Sequence, residues 1–215
     1  MYIRNAFAHT PGRYAGKHVR KRTRRSRAGG VMLLSIALIT LGLCGLFKIS
    51  AEASAFSQER LAEAVSSTVA EIIRDDMTSV EKARAIFDFA HDNIRYTGES
   101  DKSDWQAEAY AGLTRRKGDC FTYYAVSRAL LTAVGIDNLE VTRMGGPTSH
   151  YWNLINCGDG WYHFDATPRS SKMPPFVSFM FTDEEAADYT AKAGRSYYAF
   201  DGSLYPERAA DTVSQ

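Results

Sequence analysis

The chain has 215 residues and a formal net charge of +1, a length that allows one ordinary domain plus an appendage. It holds no internal repeat and no phosphate-cradling glycine loop, which excludes a solenoid and a P-loop enzyme. The small net charge conceals an asymmetry: ten of the 26 Lys/Arg residues precede Glu52 and no acidic residue does, which leaves 16 basic residues against 25 acidic ones in the remainder.

Residues 1–30 form a basic tail containing Arg4, Arg13, Lys17, Arg20, Lys21, Arg22, Arg24, Arg25 and Arg27. An uncharged apolar run follows from Val31 to Phe47 and extends to Ile49 if Lys48 carries its ammonium to the interface. A spanning helix needs about 17–25 residues, so residues 31–50 are expected to form a transmembrane signal anchor. A buried core helix fits poorly, because the run is apolar on all sides and adjoins the basic cluster. The positive-inside rule then places the tail in the cytoplasm and the remainder outside the cell membrane. Ala53-Ser54-Ala55 is an A-x-A pattern, and cleaved secretion after Ala55 is the alternative. The length of the basic region and of the apolar run favours the uncleaved anchor. Beside a membrane helix a basic tail meets anionic headgroups, so no nucleic acid is expected as a partner.

Residues 51–78 read as a stalk or a first packed helix, with Leu61, Val65, Val69, Ile72 and Ile73 near one stripe. The main domain is expected over 79–206. Thr78-Ser79-Val80-Glu81 is a capping box that opens a helix reaching about His91. Ile94–Thr97 reads as a short strand. Asp104 caps a helix that leads into Thr114–Lys117, a basic run read as a solvated turn. Leu139–Met144, Phe176–Phe181 and Tyr197–Phe200 read as strands, Thr182 caps a short acidic helix, and 207–215 reads as a frayed end. The change from helical to strand periodicity near Gly135 predicts an α+β fold, its mainly antiparallel sheet built from Leu139 onward.

The segment Gly118–Gly135 reads as a helix with both ends marked. Asp119 is a good N-cap and Gly135 a good residue just past the C-terminus. Cys120 therefore sits in the first turn, where free N–H groups and the helix dipole favour an anion, and so the reactive thiolate. A lone cysteine is more often structural, and the downstream residues tilt the balance. Ser149–Ile155 and Gly160–Pro168 read as the arms of a β-hairpin around Asn156-Cys157-Gly158-Asp159-Gly160. Pairing Cys157 with Gly160 sets Ile155 against Tyr162 and His150 diagonal to Asp165; a longer loop sets His150 opposite Asp165. Side chains alternate along a strand, so both even registers put His150 and Asp165 on one face.

Lys117-Gly118-Asp119-Cys120, His150-Tyr151-Trp152-Asn153 and Trp161-Tyr162-His163-Phe164-Asp165-Ala166-Thr167-Pro168 together resemble the transglutaminase-like superfamily of papain-like thiol enzymes. The resemblance spans about Gly118 to Pro168, with a weaker match back to about Val80. It implies Cys120 as nucleophile, His150 as general base and acid, and Asp165 as the carboxylate that orients the imidazole. It also implies a core with the cysteine helix packed on an antiparallel sheet, and acyl transfer on amide bonds through a thioester. Peptidase, amidase and transglutaminase chemistry all remain open, with cell-envelope proteins or peptides as substrate and no cofactor or metal. The Cys120 N–H could supply one oxyanion donor; Trp105, Gln106 and Tyr110 are candidates for the second.

Three rival readings remain. His150, Cys157, His163 and Asp165 are ligand types close in sequence, but their spacing matches no common zinc pattern. A Cys120–Cys157 disulfide is open to an extracytoplasmic chain but would consume the nucleophile. A non-catalytic binding module of an envelope assembly is the alternative function, and the intact Cys-His-Asp set argues against it.

Overall fold

The computed structural model describes Ala55 and residues 57–211. The basic tail, the apolar stretch Val31–Ile49 and nearly all of the A-x-A cleavage pattern fall outside the described residues. Among the described residues no helix is long and apolar enough to cross a membrane.

Helix α1 (residues 57–72) buries Leu61 and Val65 in the main apolar core, with Val69 and Ile72 packed against it. Helix α2 (Ser79–Asn93) starts at the expected box: Glu81 N–H donates to Thr78 Oγ1, and Thr78 N–H to Glu81 Oε2. It buries Ala83, Ile86, Phe87, Phe89 and Ala90. Strand β1 (Arg95–Tyr96) pairs in parallel with β2 (Lys117–Gly118) across α3 (Trp105–Arg115). The expected solvated turn at Thr114–Lys117 is therefore part helix and part strand. Arg116 makes the change of direction in left-handed backbone, φ 54°, and its guanidinium lies over the Phe89 ring.

Helix α4 (Cys120–Ala133) is buried along nearly its whole length. Leu130 and Leu131 are closed to solvent, and burial of each side chain contributes about 1.5–3 kcal/mol. Gly135, at φ 77°, ends the helix as expected, a backbone region costly to any residue with a Cβ. The sheet that follows has the order β3 (Asp137–Thr142), β4 (Tyr151–Asn156), β5 (Trp161–Phe164), β6 (Phe179–Phe181), antiparallel throughout. The fold is mixed α and β, with an antiparallel sheet as predicted.

Alternation sorts the strands between two cores. Ile155, Tyr162 and Phe164 join the core of α2 and α4, while Val141, Trp152, Leu154 and Phe181 meet Ala186 and Tyr189 of α5 (Asp183–Ala193). Tyr197–Phe200 is not the expected strand; its aromatic rings fill the α5 side instead. The expected frayed end is partly anchored. Arg208 clamps Asp183 through Nε and a terminal nitrogen, and Ala209 N–H donates to the Trp161 carbonyl at 2.9 Å.

Candidate active site

Cys120 opens α4, and three layers of contact fix that opening. Asp119 caps it: Oδ1 accepts from Phe121 N–H at 2.9 Å and from the Ser100 hydroxyl at 2.6 Å, and Oδ2 takes the Lys102 ammonium at 2.5 Å. Thr122 returns its Oγ1 to Asp119 N–H and donates to buried Glu108. Gly118 leaves room for this, since a Cβ there would lie 1.8 Å from Thr122 Oγ1. The parallel β1–β2 pair then holds the approach, with Thr97 N–H donating to the Gly118 carbonyl. Cys120 ends up 5 % exposed, its sulfur 3.9 Å from the Ser149 carbonyl oxygen.

The hairpin has the first of the two registers anticipated: Ile155 faces Tyr162 and Asn156 faces Trp161. The ladder closes there and leaves Cys157–Gly160 as a four-residue loop. His150 and Asp165 share a face, and His150 Nε2 lies 2.9 Å from Asp165 Oδ2. That bond leaves Nδ1 on the other side of the ring, and Cys120 lines one cleft with His150 and helps to raise its pKa. The three residues singled out from the sequence therefore come together.

Charge settles the state of the imidazole. Burial alone works to lower the pKa of His150, but the charge and hydrogen bond of Asp165, with Cys120 adding to them, outweigh it and raise it to about 9. Asp165 is likewise pulled two ways. Burial raises its pKa, while the charge of His150 and its hydrogen bond, followed by Arg169 and Thr167, lower it by more, so the net shift is downward. A buried carboxylate stays ionised only with such partners.

Sequence reasoning missed several of those partners. Tyr198 O–H donates to Asp165 Oδ2 at 2.7 Å, and Thr167 N–H to Oδ1 at 3.0 Å. Arg169 stands 3.6 Å from Oδ2, also donating to Tyr198 Oη and Ser178 Oγ. Arg169 sits four residues past Asp165 and its charge was visible in the sequence; nothing local marked Tyr198, which arrives from the far side of α5.

A second histidine supports the first. Trp152 stacks on His150 with ring centroids 5.6 Å apart. Its indole N–H donates to His163 Nδ1 at 2.9 Å, and His163 Nε2 lies 2.8 Å from Asp183 Oδ1. An indole is only a donor, so His163 carries its proton on Nε2. Burial is the largest influence on His163 and its pKa falls, consistent with a neutral ring. Both of its nitrogens are engaged, which leaves none for a metal.

Cys120 and His150 line a cleft of about 150 Å³ with Tyr96, Arg143, Ser149 and Tyr197. Trp105, Gln106 and Tyr110, the candidates for the second oxyanion donor, do not line it. Trp105 lies under the Arg128 guanidinium and Tyr110 binds Arg60. Tyr96 occupies the cleft instead, half-exposed. Burial raises the pKa of its hydroxyl, and the nearby charges of Cys120 and Asp119 raise it further, so it remains a donor at neutral pH. Cys157 lies at the hairpin loop, its thiol raised to about 11 by burial and then by Asp159. Among the described residues it is unpaired, as is Cys120.

Residues 66–166 match the Transglutaminase-like superfamily, a segment that includes Cys120, His150 and Asp165. No curated protein matches the chain. Among solved structures the chain is similar to one from Cytophaga hutchinsonii assigned as a cysteine protease, with 24% identity and a TM-score of 0.41 over 52% of this chain and 37% of that one. It is also similar to a TGase, with 13% identity and a TM-score of 0.40 over 73% of this chain and 53% of that one. The chain spans less than two thirds of the length of either structure.

Proposed function

We propose that the transglutaminase-like domain matched over residues 66–166 is a thiol enzyme that transfers acyl groups from amide bonds. The observation that carries this reading is His150, bonded to the Asp165 carboxylate and lining one cleft with Cys120, with a pKa raised to about 9 that favours the imidazolium. The Cys120 sulfur, its proton already passed to His150, attacks the amide carbonyl carbon as the thiolate and gives a tetrahedral oxyanion. The C–N bond then breaks as His150 gives its proton to the departing amine, leaving a thioester. His150, now neutral, takes a proton from water or from a second amine. That nucleophile attacks the thioester, the C–S bond breaks, and the acid or the new amide leaves. Asp165 holds the imidazole in place and balances its charge. The backbone N–H of Cys120 and the Tyr96 hydroxyl are the two oxyanion donors in this reading.

The domain is proposed to work outside the cell membrane, on envelope proteins or peptides, tethered by Val31–Ile49. The basic residues before Val31, with no acidic residue among them, support that orientation. Protease added to intact cells should digest the domain and spare the tail; a protected domain reverses the topology. For the chemistry, envelope peptides are incubated with the full chain in detergent and with Cys120→Ala, then weighed by mass spectrometry. Cleaved amides indicate a hydrolase, and Gln–Lys linked masses with ammonia loss a transglutaminase. Identical spectra for both proteins contradict the acyl-transfer reading.

A further inference from the structure

The cleft of Cys120 and His150 continues into a larger one of about 590 Å³, the two sharing Tyr96, His150, Arg195 and Tyr197. Their walls carry Arg143, Arg169, Lys172 and Arg195 and no Asp or Glu. That runs against the composition of the chain past residue 51, where 25 acidic residues outnumber 16 basic ones. Two of the four cations have internal duties. Arg143 donates to the Thr148 carbonyl and hydroxyl, and Arg169 serves Tyr198, Ser178 and Asp165. Arg195 and Lys172 are exposed, and among the described residues neither side chain has a hydrogen-bond or ion-pair partner.

We propose that Arg195, assisted by Lys172, is a subsite for a carboxylate on the acyl donor, so that the enzyme prefers acidic peptides with the carboxylate close to the scissile amide. The inference rests on the acyl-transfer reading of Cys120. A guanidinium offers a planar pair of N–H donors that matches a carboxylate, and an ammonium on the same wall adds charge without fixing geometry. The surrounding domain is acidic and repels such a substrate elsewhere, so the cleft also steers it, with an effect that weakens as salt is added.

The test uses two peptidyl chloromethyl ketones that differ only in a glutamate or glutamine beside the reactive ketone. Inactivation of the full chain in detergent is followed as alkylation of Cys120, and the ratio of the two rates is read within each variant. In the wild type the glutamate probe should react about two- to fivefold faster, an effect of the size expected for a partly exposed ion pair. Arg195→Gln should bring the ratio close to one, Arg195→Glu should invert it, and Arg115→Gln, at a residue that lines neither cleft, should leave it as in the wild type. A wild-type ratio of one, with Cys120 still alkylated by both probes, overturns the subsite and leaves the nucleophile standing. A ratio that survives Arg195→Glu also overturns it. Failure of both probes to label Cys120 overturns the nucleophile and the subsite together.

Discussion

His150 Nε2 and Asp165 Oδ2 lie 2.9 Å apart, and both side chains are almost closed to solvent. A charge pair this buried is held by its partners rather than by water, so its titration is a direct property of the fold. His150, raised from 6.5 to about 9, lends stability that is complete below 6.5 and is lost as pH rises through 9. Asp165, lowered from 3.8, lends stability present above 3.8 and lost as pH falls through its depressed value. The His150 ring resonances should therefore titrate near 9 by NMR, and Asp165→Asn should move the midpoint down, because burial then acts without the counter-charge. A midpoint near 6.5 in the wild type contradicts the pair.

Tyr198→Phe removes one of the donors to buried Asp165. The expected cost is about 1–3 kcal/mol in denaturant unfolding, together with a shift of the His150 midpoint. Loss of stability with no change in that midpoint assigns Tyr198 to packing alone.

Gly118→Ala places a methyl where Thr122 Oγ1 now sits. Thr122 must rotate away from both Asp119 N–H and Glu108, which breaks the cap of α4. A destabilisation of about 1–3 kcal/mol is expected, with slower alkylation of Cys120. Unchanged stability contradicts the role given to this contact.

Tyr96→Phe tests the oxyanion donor. Acylation of Cys120 by p-nitrophenyl acetate, followed as p-nitrophenolate release, builds a tetrahedral oxyanion; alkylation by iodoacetamide does not. The variant should slow acylation about 10²-fold and affect alkylation far less. Equal effects on both reactions remove Tyr96 from the oxyanion site.

Local chemistry made the core of the site legible. The Asp119 cap and Gly135 bracket a helix with Cys120 at its start, and strand alternation puts His150 and Asp165 on one face whichever even loop closes the hairpin. The rest depends on contacts between distant segments. β1 and β2 are two residues each, too short for any periodicity, so the basic run before Gly118 read as a turn. Tyr197 and Tyr198 look like strand residues, yet they pack around His150 and Asp165. Tyr96 reached the cleft because β1 pairs beside Gly118, and no spacing pattern announces that pairing.

The central claim is that Cys120 is a nucleophile activated by His150, and the rate of iodoacetamide labelling at neutral pH, resolved by peptide mass spectrometry, tests it most directly. Cys157, its thiol pushed up to about 11, is the internal reference. Cys120 should label faster than Cys157 despite being the more buried of the two. His150→Ala should slow Cys120 by removing the imidazolium beside the thiol, and Asp165→Ala should slow it less. Equal labelling of the two cysteines, indifferent to His150→Ala, would contradict the account.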